Sequence, residues 1–375
     1  MNSIADQTNA PAQRELHARL EALKIAALST GLRAADDVLE ALGGADRLTV
    51  HEYATTGGLP LRVGGLDLNI PFDEWYCAQA EIELVSDDDG FALQHAGKSF
   101  AIDAIYPLPG YLGATDADAN RFDDVVFTHI DRFRLSPIVG CAYDCAFCDL
   151  PGRVRLHPVD QLMAAAEAAL VDDKLAVRHA LISGGSPGPK DQERFADTIV
   201  ELVRRLSPRI EIDVMMSSGA DGPELVKRLV DAGVHGFALN IELESSEAAG
   251  LHIRGKQRRA RPHFDSTVTA AVELLGRSGR VRSLILPGLE SASATLAGVE
   301  HIASLGADPV LSPFRPARAT ALHRQSPVAT SLLREVLDGA REIVSRHGVE
   351  LGPRCLPCQH NTLTFPWDAF GREEV

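Results

Sequence analysis

The sequence predicts an α/β protein built on a partial (βα)6 barrel of the TIM type, with an N-terminal α+β module and a C-terminal cysteine-containing extension. Three observations carry this. From residue 130 onward, short apolar runs alternate with amphipathic helical patterns six times, which requires a parallel sheet with right-handed crossovers. Six units rather than eight leave such a barrel partly open. Before residue 106, short alternating runs are separated by Gly-Gly, Asp-Asp-Asp-Gly and Ala-Gly-Lys, which is turn chemistry between antiparallel strands. The expected units are residues 1–125, 126–350 and 351–375.

In chain order, Leu16, Leu20, Leu23 and Ala27 recur at helical spacing and predict a helix over 13–29, followed by a short helix over 34–43 that ends at Gly43-Gly44. Strands are expected over 48–53, 59–63, 80–85, 91–94 and 100–105, and residues 107–124 read as a linker. The barrel strands are expected at 134–139, 178–182, 209–217, 234–244, 280–287 and 309–314. Helices are expected between and after them at 158–171, 191–206, 222–232, 265–278, 294–305 and 328–347.

A chain of 375 residues can bury ample core, and 45% hydrophobic with 24% charged residues is ordinary for a soluble globular protein. Thirty-seven basic against 52 acidic residues give a net charge of −15. That argues against a phosphate-backbone partner, because nucleic-acid affinity comes largely from Lys and Arg, and favours a small-molecule or peptide substrate. No apolar stretch is long enough to span a membrane and no signal segment opens the chain, so the expected location is cytoplasmic, with no membrane partner. In a reducing compartment, clustered cysteines read as metal ligands or reactive thiols rather than structural disulfides.

Cys141, Cys145 and Cys148 lie three and then two residues apart, with Phe147 before the last. Three thiols so spaced can converge on three corners of an iron–sulfur cube and leave one iron open; a zinc knuckle is the alternative. In parallel barrels, chemistry collects at the C-terminal strand ends, and this loop directly follows the first barrel strand. After the second strand, Ser183-Gly184-Gly185 allows close backbone approach, or is an ordinary βα turn. On the fourth strand, Asn240, Glu242 and Glu244 alternate with Leu239, Ile241 and Leu243. The polar row is expected to face the lumen, where buried carboxylates need partners, either a ligand or one another. The basic run 252–259 is expected as a loop over the mouth whose Arg254 and Lys256 neutralise an anionic group, with Arg282 as another carboxylate partner. Arg315, between two prolines, is expected at the mouth. Cys355, Cys358 and His360 offer donors for zinc, an auxiliary cluster or a thiophilic substrate atom, with Cys77 a candidate fourth ligand.

The spacing CxxxCxφC, with φ aromatic, resembles the radical S-adenosylmethionine (SAM) superfamily, and the resemblance runs from about residue 130 to about 350. It implies a [4Fe–4S] cluster on Cys141, Cys145 and Cys148, with the methionine moiety of SAM chelating the open iron. It also implies reductive cleavage of SAM to a 5′-deoxyadenosyl radical and a flavodoxin- or ferredoxin-type reductant. By the same resemblance Ser183, Gly184 and Gly185 match the paired glycines that receive the SAM amino group, with Ser186 where a glutamate is usual. Asn240 and Glu242 resemble a ribose-binding pair of biotin synthase-like members. Tyr143, Phe147 and the strand around Ile285 fall at the nucleoside side, while Glu244, Arg315, Cys355 and Cys358 are left as catalytic candidates. The inner strands carry no further cysteines for a sacrificial sulfur cluster. The cysteine-bearing tail is similar to that of the radical SAM enzyme of arsinothricin formation, which would imply 3-amino-3-carboxypropyl transfer to a thiophilic acceptor such as trivalent arsenic. The reading from another class is a non-catalytic iron- or zinc-binding redox protein.

Overall fold

A computed structural model describes residues 4–44, 57–87, 90–150, 152–277 and 279–368. The strand expected over 48–53 lies outside the described residues. Helix α1 (Ile4–Thr30) extends the predicted helix toward the N-terminus and carries Pro11 within it. Leu20, Leu23, Ile25, Ala26, Ala27 and Leu28 are all buried, so its last turns are enclosed on every side. Strand β1 (Leu32–Ala34) and helix α2 (Asp36–Ala41) follow.

The next strands are β2 (Leu59–Val63), β3 (Leu66–Ile70), β4 (Ile82–Asp87), β5 (Gly90–His95), β6 (Lys98–Ala101) and β7 (Ala104–Ile105). They form two small sheets, in the orders β1-β4-β5-β6 and β3-β2-β7. All pairings in them are antiparallel except the parallel β1–β4 edge.

The barrel wall is one seven-stranded sheet. Its strands are β8 (Val126–His129), β9 (Arg132–Leu135), β12 (His179–Ile182), β13 (Glu211–Met216), β14 (Gly236–Leu239), β15 (Val281–Ile285) and β16 (Asp308–Leu311), while β10 (Ile138–Val139) and β11 (Arg155–Leu156) pair only with each other. The order is β16-β15-β14-β13-β12-β9-β8. The six strands from β9 to β16 run parallel, as the βα alternation requires. Strand β8 pairs antiparallel with β9 and falls between the linker expected over 107–124 and the first expected barrel strand, where the sequence pattern assigns no element.

The crossover helices are α3 (Val159–Leu170), α4 (Gln192–Leu206), α5 (Gly222–Asp231), α8 (Phe264–Leu275), α9 (Ala292–Ser304) and α10 (Thr330–His347); between α5 and α8 lie the short α6 (Ser246–His252) and α7 (Arg254–Arg259). The run 252–259, expected as a loop, is therefore helical. In α4, Phe195, Ile199, Leu202 and Leu206 bury one face against the sheet and Arg204 and Arg205 remain exposed, the amphipathic stripe that fixes such a helix on a sheet.

Strands β16 and β8 are the two edges of this wall, and the tail closes the space between them. Gly352 donates its N–H to Pro309 O at 2.9 Å and Leu363 donates to Leu311 O at 2.8 Å, both along β16. On the other side the His360 ring stacks on His129 of β8, with centroids 4.1 Å apart. Leu363 and Phe365 are buried. The N-terminal helix clamps the tail from outside: the Lys24 amine donates to Gln359 O at 2.9 Å and Thr364 O at 2.8 Å. Arg341 of α10 and Trp367 both donate to Glu21. Burial pulls the Lys24 amine down to about 7, with Asp368 and Asp67 opposing.

Lys24→Ala removes a donor from two tail carbonyls in a buried setting. Leaving such groups unsatisfied costs roughly 1–3 kcal/mol. Denaturant unfolding is expected to show that loss, and limited proteolysis of the folded variant is expected to cut the tail first.

Candidate functional site

The cysteine loop leaves the barrel after β9 and is shaped from below and from the side. Below it, the loop after β12 approaches so closely that a Cβ on Gly185 would lie 1.8 Å from Gly140 O and 2.8 Å from Cys141 Cβ. Only glycine fits there. The two loops are also bonded: Ala142 donates to Ser186 O at 2.9 Å, and the Ser186 N–H points at Cys141 Sγ at 3.2 Å. A second N–H, from Tyr143, lies 3.4 Å from the same sulfur. From the side, Ala146 donates to His252 O at 2.8 Å, and a Cβ on Gly255 would meet Asp144 Oδ1 at 2.9 Å. Helices α6 and α7 thus support the loop.

All three thiols of the loop open onto one cavity of about 810 Å³. Tyr143, Phe147, Ser183, Gly184, Gly185 and Asn240 line its upper part. Glu242 and Lys256 line it too, as a buried ion pair in which the Lys256 amine bonds Glu242 Oε1. The second oxygen, Oε2, is buried with no hydrogen-bond partner. Burial raises the Glu242 carboxyl while Lys256 counters it. The cavity continues down the barrel to Cys358, His360 and Thr362 of the tail.

The expected polar row on one face of the fourth strand is corrected. Strand β14 ends at Leu239, and Glu242 has φ +60°, a left-handed conformation that non-glycine residues rarely take. The alternation is broken there. Asn240 and Glu242 reach the cavity, but Glu244 turns away to Arg261 (2.9 Å) and His301 (3.3 Å) on the helical side. Asn240 Oδ1 also accepts from the Leu284 N–H at 3.2 Å, tying the strand ends together.

Other expected residues fall elsewhere. Arg254 is exposed and reaches back from α7 to Gly250 O in α6 at 3.4 Å. Arg315 does not stand at the mouth; it bridges Asn69 O at 3.4 Å and Asn361 Oδ1 at 2.9 Å, joining β3 to the tail. Ile285 points into the core, and its strand neighbours Leu284 and Leu286 line the cavity instead. Arg282 lines the cavity but is paired with Asp213 at 2.7 Å. His360 is not beside the thiols: its Nδ1 faces Pro357 O at 2.7 Å. Cys77 packs against Gly31 in the N-terminal module. Cys358 lines the cavity and Cys355 sits behind it.

The alternation of β9 and β12 contains residues that motif reading passed over. Arg132 and Arg134 are two apart on β9 and both line the cavity. His179 lies on the face of β12 that carries Leu181 and Ser183, and its Nε2 is 3.1 Å from Cys358 Sγ. Period-two spacing on these strands was the available signal.

Residues 135–293 match the family model described as the radical SAM superfamily. The chain is similar to biotin synthase of Salinibacter ruber, with 32% identity over 109 residues, covering 27% of this chain and 29% of that protein. The match thus spans less than a third of that relative's length. Among solved structures, the chain resembles a radical SAM methyltransferase from Sphaerobacter thermophilus, with TM-score 0.46, 16% identity and coverage of 72% and 76%. It also resembles the FeFe-hydrogenase maturase HydG from Carboxydothermus hydrogenoformans, with TM-score 0.45, 12% identity and coverage of 60% and 55%. No helix among the described residues is long and apolar enough to cross a membrane.

Two outcomes are expected of this arrangement. Gly185→Ala forces the two loops apart, and thiol-reagent labelling of the folded, metal-free variant is expected to modify Cys141 faster than in the parent chain. The His301 imidazole is raised above its ordinary value by its bond to Glu244, with Asp265 adding to it. The stabilisation is fully present below about pH 6.5 and is lost as pH rises through the elevated folded value. Thermal denaturation is expected to show this component, and His301→Gln to flatten it.

Proposed function

We propose, from the radical SAM superfamily membership that residues 135–293 give this chain, that it is an enzyme binding a [4Fe–4S] cluster on Cys141, Cys145 and Cys148. SAM would bind on the lumen side of that cluster. The observation that supports this best is the convergence of three thiols, a close-packed glycine pair and an orphaned carboxylate oxygen on one cavity. Three thiolates suit a cubane that keeps one iron open. The N–H groups of Ser186 and Tyr143 directed at Cys141 Sγ are the donors that tune a cluster-ligating sulfur.

When bound, the cluster and SAM supply one-electron reduction of a carbon–sulfur bond, and the chain supplies orientation and exclusion of water. Ser183, Gly184 and Gly185 present backbone to the amino group of SAM. Glu242 Oε2 accepts a ribose hydroxyl, which satisfies the oxygen that the protein leaves without a partner; Asn240 stands beside it. Lys256 is the charge partner that orients Glu242 through Oε1 and leaves Oε2 facing the lumen. Tyr143, Phe147, Leu284 and Leu286 flank the nucleoside. The partly exposed cysteine loop gives a flavodoxin- or ferredoxin-type donor its approach. A small-molecule substrate occupies the lumen below, between Arg132, Arg134 and the tail. The setting that fits these parts is cytoplasmic.

Anaerobic reconstitution with iron and sulfide, followed by dithionite and SAM, tests the reading. The parent protein is expected to form 5′-deoxyadenosine and Cys145→Ala to form none. Methylthioadenosine as the product would identify aminocarboxypropyl transfer instead. A protein that binds iron but gives no SAM-derived product, with Cys145→Ala retaining its spectrum, is the non-catalytic metal protein.

A further inference from the structure

The base of the barrel carries a donor cluster that the reading above does not use. His179 Nε2, Cys355 Sγ and Cys358 Sγ all lie within 4.8 Å of one another. The imidazole comes from the first residue of β12, and the thiols come from the tail turn in which Cys358 donates its N–H to Cys355 O at 3.1 Å. We propose that these three side chains bind one zinc ion, which staples the tail to the barrel wall.

The donor chemistry selects the ion. Two thiolates and one imidazole form a borderline-soft set suited to a closed-shell divalent cation. They are too few thiolates for a second cubane. The spacing fits as well: bonds of about 2.3 Å to sulfur and about 2.0 Å to nitrogen around a tetrahedral ion place its donors roughly 3.5–3.8 Å apart. Cys358 Sγ and His179 Nε2 already stand 3.1 Å apart. Small side-chain rotations make the site.

The rival for a CxxC pair is a disulfide. A disulfide requires only the two sulfurs, and the imidazole aimed at Cys358 from a different element would then have no part in it. The surroundings also suit zinc. The Arg132 guanidinium lies 3.8 Å from Cys358 Sγ. Zinc with two thiolates is neutral, so the nearby arginine meets no net cation.

The site is separate from the cysteine loop. His179 begins the strand whose far end delivers Ser183 to that loop. Four residues of strand span about 13 Å. Three protein donors leave one coordination position for water or a lumenal ligand, and Cys358 borders the lumen. Because the tail closes the gap between β16 and β8, a staple at its turn would hold that closure from within.

The test separates this site from the function proposed above by using the full chain and its Cys141→Ala/Cys145→Ala/Cys148→Ala variant, both purified anaerobically without added iron. Zinc content, cobalt(II) absorption and zinc-dependent thermal stability are measured on each, with circular dichroism to confirm folding. One equivalent of cobalt with thiolate charge-transfer absorption is expected in the triple variant. His179→Ala is expected to weaken zinc by more than about tenfold and Cys358→Ala to abolish the absorption. Zinc should raise the melting temperature only when all three donors are present. Sulfur and nitrogen neighbours at the zinc X-ray absorption edge of the parent chain give the same answer if the triple variant does not fold. No thiolate–cobalt absorption in a folded protein, unchanged affinity in His179→Ala, or a Cys355–Cys358 disulfide that zinc does not prevent would each overturn the proposal.

Discussion

An open barrel of six parallel strands has two unpaired edges, and almost everything distinctive here follows from how the chain covers them. An exposed strand edge leaves backbone N–H and C=O groups unmatched. Strand β8 covers one side of β9 by antiparallel pairing. The tail covers β16 through the N–H groups of Gly352 and Leu363. Because the tail must then cross to β8, its turn is carried across the open side of the lumen. That crossing places Cys358, His360 and Thr362 on the cavity wall. It also explains the N-terminal helix: the Lys24 amine and Glu21 hold the tail from outside, so the module before the barrel helps to seal it.

The second constraint sits at Glu242. A left-handed conformation at a non-glycine residue costs about 1–3 kcal/mol, and a carboxylate in a closed lumen costs more unless it is paired. Both costs fall on one residue. The backbone is held by two bonds to the neighbouring strand, Glu242 N to Leu284 O and Leu286 N to Glu242 O, each 2.9 Å. Lys256 supplies the charge partner from α7, the helix that also supports the cysteine loop through Gly255. One short helix therefore couples the carboxylate to the thiol loop. Residues held this way cluster where a fold has a ligand to position.

The barrel was legible because its signals are periodic and local. Six βα units read correctly from apolar runs, and most helix limits from amphipathic spacing, since α4 and α10 must bury one face whatever the function. The cysteine loop and Gly184-Gly185 were legible for a similar reason: each is a local spacing at a strand end. What failed depended on a single backbone angle or on distant pairing. Period two assigned Glu244 to the lumen, but φ +60° at Glu242 reverses the count two residues earlier. Arg315 read as a mouth residue because nothing nearby in sequence reveals Asn69 and Asn361 as its partners. His360 read as a thiol neighbour by proximity in sequence, whereas His179, from a strand far upstream, is the neighbour in space. The run 252–259 looked like a loop because charge hides helical packing when the buried contacts are made by Gly255 and the stem of Lys256.

Cys141, Cys145 and Cys148 at one end and Cys358 at the other line one lumen, with Cys355 behind it. A carbon radical of the kind proposed above would be useful only if water and stray hydrogen donors were kept from the lumen. An open-sided barrel cannot do this by its strands alone. The tail covers the open side with side chains that are themselves apolar or internally bonded: Leu363 and Phe365 in the core, Thr362 bonded within the tail, and His360 stacked on His129. The arginines Arg132 and Arg134 remain on the lumen wall between the two ends, and Arg134 is buried. Charge in a partly enclosed space interacts more strongly than at the surface, so covering the open side would serve both the radical chemistry and the substrate binding proposed above.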